Sequence, residues 1–542
     1  MDRDGSPIAA SLDGRVGRPV ARNVLALSGA QGANSLLHLV WFALLTSHLG
    51  SAGLGVYVFA VAVPDLLGPI VDFGFTAIAA RDVAQDPRRE PTLVPNLFYL
   101  RLVVAVALSA VTVAVLHAAG YRAGDVHAAT VAVAITLLTA LQSFQVSLEV
   151  RLRMGWVAIG NLAESLVLVA GVVVLSHRGA GVMAFVWLYV AANGLSLGIS
   201  AARALTLGRF RFSPDPAVLG PLVRAAAPLG AAGVVTGLYY RLDIFVLAWV
   251  QTSRAVGQYG AGYRFIDAVA VFPGLMVAVL NPVLARSYAA GREVLRRRYA
   301  TVMHLATVPT VIVGVGGAMT AWRALPALHA FRHYHGGGVV LAVLCPAAGL
   351  ILLGSVASAV MFAAHRQRTL LGIAVAVLAF NGLLDVTLIP AFSYVGAAAA
   401  TTAGEAVSVV VLAVAIRRRL GLGWPLDRLG QALRAGAVLA AVLAVGYLLP
   451  PLVQLALGLV TAPVAVLVTG ALGRSDLGWL RREVEGVGPD GAATARSTSD
   501  GPASAGTMAT NTAAAASSPS PARSPTPSAT TPTSVGPRTR PR

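Results

Sequence analysis

Apolar residues in this chain come in long blocks rather than in short alternation. Runs of about 20 residues, the length a helix needs to cross a bilayer, begin near residues 23, 53, 96, 126, 156, 180, 226, 257, 300, 337, 369, 394, 434 and 452. The pattern predicts an all-α, polytopic membrane protein with about 14 transmembrane helices. Only Pro450 and Pro451 part the last two runs, which reads as a helical hairpin at the C-terminal end. The first run, Asn23 to Ser47, follows a polar N-terminus, is longer than a signal-peptide core and has no convincing cleavage site. It is expected to stay as a helix.

Composition agrees, with 56% hydrophobic and 12% charged residues and a mean hydropathy of +0.73. The single cysteine, Cys345, rules out an intrachain disulfide and makes a structural zinc cluster untenable. All 41 basic residues are arginine. A Walker-type site needs a lysine on the nucleotide phosphates, so no such ATPase resides in this chain and any transport is driven from outside it.

Arginine placement sets the expected orientation. With the N-terminus inside, 34 arginines fall in cytoplasmic connections and termini, and two, Arg241 and Arg264, fall within runs. Only Arg122, Arg178, Arg254, Arg323 and Arg332 fall in external loops. The excess of positive charge inside predicts that both termini are cytoplasmic.

The organisation expected from these signals has six parts. Residues 1–21 are a disordered N-terminus, 22–205 a first lobe of six helices, 206–224 a cytoplasmic connector, and 225–420 a second six-helix lobe. Residues 421–475 form the extra hairpin, and 487–542 a Ser/Thr/Pro/Ala-rich tail that cannot bury enough apolar surface to fold. Setting residue n against n+202 aligns Arg22 with Arg224, Ser51 with Ser253, Gly55 with Gly257, Tyr57 with Tyr259 and Asp65 with Asp267. This gives nine identities in 44 positions without a gap. A charged match inside a span points to parallel repeats of the transporter kind.

Charge inside a membrane costs several kcal/mol by order of magnitude unless it is paired or hydrated. Arg241 and Asp243 sit in one run two residues apart, on nearly opposite sides of a helix, so each needs its own partner. Arg264 and Asp267, three apart, share a face of the next run. These four groups either line a cavity or form an ion network that fixes packing. Ser28, Gln31, Asn34 and His38 make a polar stripe on the first helix, and Asp72 shares a face with Asp65 on the second. Inter-helix hydrogen bonding and contact with water or ligand both fit these residues. Packing roles are expected for Glu164, Asp385 and Glu405.

Other candidates lead away from chemistry. His329, His333 and His335 lie close together in a loop without a cysteine or carboxylate beside them, so a solvated loop is expected and no metal or cofactor. The basic runs GREVLRRRY and AIRRRLGLGW adjoin spans; topology and contact with membrane lipids explain them, and nucleic-acid binding does not.

Three stretches resemble the polysaccharide-export, oligosaccharide-lipid flippase family, which shares a superfamily with the multidrug-extrusion transporters. They are RLDIFVLAWVQTSRAVGQYGAGYRF, DFGFTAIAARDVA and NGLLDVTLIPAFSYVGAAAATTAGE, and the similarity runs over roughly residues 20 to 475. The resemblance implies a MATE-like fold, two six-helix lobes around a cavity lined by helices 1, 2, 7 and 8. It also implies a bacterial cell-membrane transporter that carries a polyprenyl-diphosphate-linked oligosaccharide from the cytoplasmic to the outer leaflet. Polysaccharide-assembly proteins are then candidate partners.

On this reading Arg241, Arg264, Asp267, Asp65, Gln31, Asn34 and His38 contact substrate, while Asp243, Asp385 and Glu405 are structural. Guanidinium suits the diphosphate because its donors engage two oxygens at once. The alternative is a proton- or sodium-coupled multidrug exporter, which the aspartates keep open. Loops between spans reach only about 20 residues, too short for the catalytic domain of a membrane glycosyltransferase or polymerase, so no enzyme is expected.

Overall fold

A computed structural model describes residues 17–269, 271–473 and 478, and the described residues fall in one compact unit. The expected tail, residues 487–542, and the first 16 residues of the expected N-terminal segment lie outside them. Every regular element among the described residues is helical.

The N-terminal half is built from α1 (Gly17–Asp72), α2 (Phe75–Gln85), α3 (Glu90–Ala118), α4 (Ala123–Ala132), α5 (Ala134–Leu138), α6 (Gln145–Val150), α7 (Gly155–His177) and α8 (Val182–Leu207). The C-terminal half comprises α9 (Pro216–Val250), α10 (Ser253–Val269), α11 (Val271–Ala289), α12 (Arg292–Ala327), α13 (His335–Ala363) and α14 (Gln367–Leu420). The hairpin α15 (Leu426–Val445) and α16 (Pro451–Val468) follows.

Among the described residues eleven helical stretches are long and apolar enough to cross a membrane, so the expected count of fourteen is not confirmed. The difference has visible causes. Residues 34–85 and 367–420 each form one stretch of more than fifty residues, about 80 Å if straight. Their helical path breaks at Gly50 (φ 64°, ψ 175°) and Ser393 (φ 52°, ψ −135°). At Gly50 the missing side chain makes the positive φ inexpensive. The 17-residue α10 carries Arg254, Arg264 and Asp267 and is too short and too charged to qualify.

Apolar burial explains the packing. Phe59, Leu67, Ile244, Leu247, Tyr259 and Tyr263 form one core that joins the two halves. A second cluster, with Trp41, Leu45, Tyr57 and Phe185, also reaches Phe331 and Tyr334 of the second half, while Leu284, Tyr299, Met303 and Met361 form a core within the second half. Large apolar side chains such as Val103, Leu166, Leu383, Leu459 and Val468 stay exposed on the perimeter, the surface a lipid bilayer covers. Arg323, expected in an external loop, belongs to α12 and clamps the hairpin. It donates to Tyr447 O at 2.5 Å and Gln454 Oε1 at 3.0 Å, with its guanidinium 4.5 Å from the Tyr447 ring centre.

The two halves meet most closely at repeat-related residues. A Cβ placed on Gly55 would overlap the carbonyl of Ser253, and one on Gly257 would overlap that of Ser51. Small residues four apart on both helices let the backbones touch. The contact is reciprocal, as a two-fold relation between repeats requires.

Candidate functional site

The central site forms where α1 crosses α9 and α10. Before Gly50, α1 presents Asn34, His38, Trp41 and Phe42; beyond it the same helix presents Tyr57 and Asp65. From α9 comes Arg241, and from α10 come Tyr263, Arg264 and Asp267. These side chains line two adjoining cavities, of about 50 Å³ around Trp41, Tyr57, Asp65, Arg241 and Arg264 and about 220 Å³ around Asn34, His38, Arg264 and Asp267.

The charges are paired within the site. Arg241 Nη2 lies 3.0 Å from Asp65 Oδ2 and 3.9 Å from Asp267 Oδ1. Arg264 Nη1 lies 3.7 Å from Asp267 Oδ2, and its Nη2 donates to His38 Nδ1 at 3.2 Å. Asp267 therefore bridges both guanidiniums. Each arginine also faces aromatic rings, Arg241 at 5.9 Å from the Tyr263 centre and Arg264 at 5.6 Å from Trp41 and 5.4 Å from Phe42. Such rings favour a cation electrostatically while excluding water.

Two cations and two carboxylates balance, and all four stay partly open to the cavity, with side chains 19% to 37% exposed. An anionic ligand with at least two oxygens can replace the carboxylates on the guanidinium forks without leaving a charge unpaired. Asn34 also lines the wider cavity, but its Oδ1 accepts from Ser165 Oγ at 2.6 Å and so ties α1 to α7. Gln31 lies on α1, and its side chain is outside the described residues.

Asp243 points away from Arg241, as the i, i+2 spacing requires. It is 2% exposed, accepts from the Tyr259 hydroxyl and receives Ile244 N at 2.7 Å. Asp385 is fully buried and accepts from Asn381 Nδ2 at 3.1 Å, while its Oδ1 has no partner among the described residues. Glu405 accepts from Tyr239 Oη at 2.9 Å and borders a separate cavity of about 480 Å³ in the second half, with Thr236, Asn281, Ser355 and Ser408. None of these three contacts the central arginines. Among the described residues no group of three His, Cys, Asp or Glu is arranged to hold a metal ion.

Sequence reasoning missed two features. Arg101 is a third intramembrane arginine, wholly buried on α3. It pairs with Asp72 and bonds Thr76 Oγ1 at 2.6 Å and Ser143 Oγ at 3.3 Å, which draws Asp72 away from the site. Its place near the start of an apolar run hid it among the connection arginines. The second is the aromatic lining, because Trp41, Tyr57 and Tyr189 read as core residues on apolar helices.

Residues 20–288 match the family model described as polysaccharide biosynthesis protein. Among solved structures, the lipid II flippase MurJ in an inward closed conformation superposes with a TM-score of 0.69 at 13% identity, over 82% of this chain and 98% of that one. A multidrug resistance MATE family transporter of the MOP superfamily, inward-facing, gives 0.56 at 16% identity, over 71% and 94%. A MOP superfamily transporter from Pyrococcus furiosus gives 0.51 at 15% identity, over 74% and 95%. At these identities the likeness establishes the fold, a MurJ- and MATE-like helical architecture. No curated protein matches the chain.

Proposed function

We propose that this chain, whose residues 20–288 match the polysaccharide biosynthesis protein family model, carries a polyprenyl-diphosphate-linked oligosaccharide from the cytoplasmic to the outer leaflet of a bacterial cell membrane. Both termini are then cytoplasmic, and polysaccharide-assembly proteins supply and remove the glycolipid. The observation that carries this reading is Asp267 bridging Arg241 and Arg264 in a cavity between the two halves. Carboxylates hold the two guanidiniums in place until a diphosphate takes them over. Polar groups at Asn34 and His38 contact the head group, while the prenyl chain remains in lipid.

A multidrug exporter needs a cavity carboxylate free to hold a cation. Here each of the two carboxylates that line the central cavity already faces an arginine. The test is transport by the full-length protein in liposomes that carry a fluorescent prenyl-diphosphate sugar on one leaflet. Appearance of the sugar on the opposite leaflet, dependent on the protein, is the expected result. Failure to move it, alongside a drug-resistance phenotype in cells, would favour the exporter.

A further inference from the structure

Beside the arginine pair, Trp41, Tyr57 and Tyr189 form an aromatic wall. Ring centres are 6.0 Å apart for Trp41 and Tyr57, 6.2 Å for Trp41 and Tyr189, and 6.1 Å for Tyr57 and Tyr189. Trp41 and Tyr57 are only 2% and 3% exposed, and all three border the 50 Å³ compartment. Yet among the described residues neither Trp41 Nε1 nor Tyr57 Oη has a hydrogen-bond partner. Buried indole and phenol groups ordinarily find one, because an unsatisfied buried donor is costly.

The internal repeat identifies what these donors lack. The 202-residue offset sets Trp41 against Asp243 and Tyr57 against Tyr259. In the second half the pair is closed, since the Tyr259 hydroxyl donates to the Asp243 carboxylate. In the first half an indole, which only donates, stands where the carboxylate acceptor would be. The pair is left open among the described residues, and a ligand oxygen can close it.

Resting on the flippase reading above, we propose that Trp41, Tyr57 and Tyr189 form a subsite for the first pyranose attached to the diphosphate. Trp41 Nε1 and Tyr57 Oη donate to its oxygens, and the rings cover its apolar C–H face. The geometry places sugar and diphosphate as they are linked, because Arg264 lies 5.6 Å from the Trp41 ring centre. A compartment of 50 Å³ holds waters but not a sugar ring. The ring therefore enters as the two halves part, which couples sugar recognition to the transport movement.

The experiment measures binding to the full-length protein in nanodiscs. The probes are a sugar-free polyprenyl diphosphate and the same lipid carrying one glucose, galactose or N-acetylglucosamine. The variant Tyr57→Phe keeps the ring and removes its donor. Wild type is expected to bind at least one glycosylated probe more tightly than the sugar-free lipid. Tyr57→Phe is expected to lose about fivefold on that probe, the worth of a hydrogen bond, with sugar-free binding unchanged. Equal loss on both probes, no loss, or no gain from any sugar overturns the subsite. Binding of a sugar-bearing probe without any binding of the sugar-free lipid would instead remove the diphosphate clamp and leave the subsite standing. Failure to bind any probe removes both.

Discussion

Gly55 and Gly257 stand 202 residues apart in sequence and back to back in space, where a methyl group on either would collide with a carbonyl of the opposite helix. This contact joins the halves just beyond the Gly50 break. Gly55→Leu should force the two helices apart there. Spin labels at positions 48 and 252 would report a longer distance as the major population; an unchanged distribution would show that the glycine contact does not set the closed state.

Arg101 and Asp72 make a pair of unequal burial, 1% against 34% side-chain exposure. Removing the carboxylate strands a buried cation, whereas removing the arginine leaves an anion that water reaches. Asp72→Asn should therefore cost about 3–5 kcal/mol, the range for breaking a buried ion pair, and Arg101→Leu less. Thermal unfolding of the two variants in detergent checks the order, and a reversed order would contradict the assigned pairing.

How much of this was legible beforehand depends on the kind of signal. Hydropathy runs led directly to a helical chain with many membrane-length helices, and the absence of lysine removed a Walker-type site. The i, i+2 spacing of Arg241 and Asp243 separated a cavity residue from a packed one, because helix geometry alone forces them apart. The mutual pairing of Arg241 with Asp65 was not legible, since it joins residues 176 positions apart across the two halves. Nor was Arg101, which sits at the start of an apolar run and resembles a topological charge. The aromatic wall was readable only through the repeat, as a tryptophan set against an aspartate.

The paired charges also carry a consequence for binding. If Asp65 and Asp267 compete with diphosphate for the guanidiniums, Asp65→Asn and Asp267→Asn should bind sugar-free polyprenyl diphosphate more tightly, by about tenfold for the loss of one charge-assisted contact. Turnover should fall, because the carboxylates no longer displace the product. Equilibrium binding and leaflet transfer measured on the same preparations separate the two effects. Weaker binding in both variants would show that the aspartates position the arginines rather than compete for them.

The central claim is that Arg241 and Arg264 hold the anionic head group, and it is tested most directly in cells carrying Arg241→Gln together with Arg264→Gln. Outer-leaflet glycolipid is measured at protein levels matched to wild type. The double variant should insert normally and export nothing detectable. Lysine at both positions should restore export only in part, since a point charge replaces a two-pronged donor. Unchanged export by the glutamine variant would contradict the account and leave the four charges as an ion network that fixes packing.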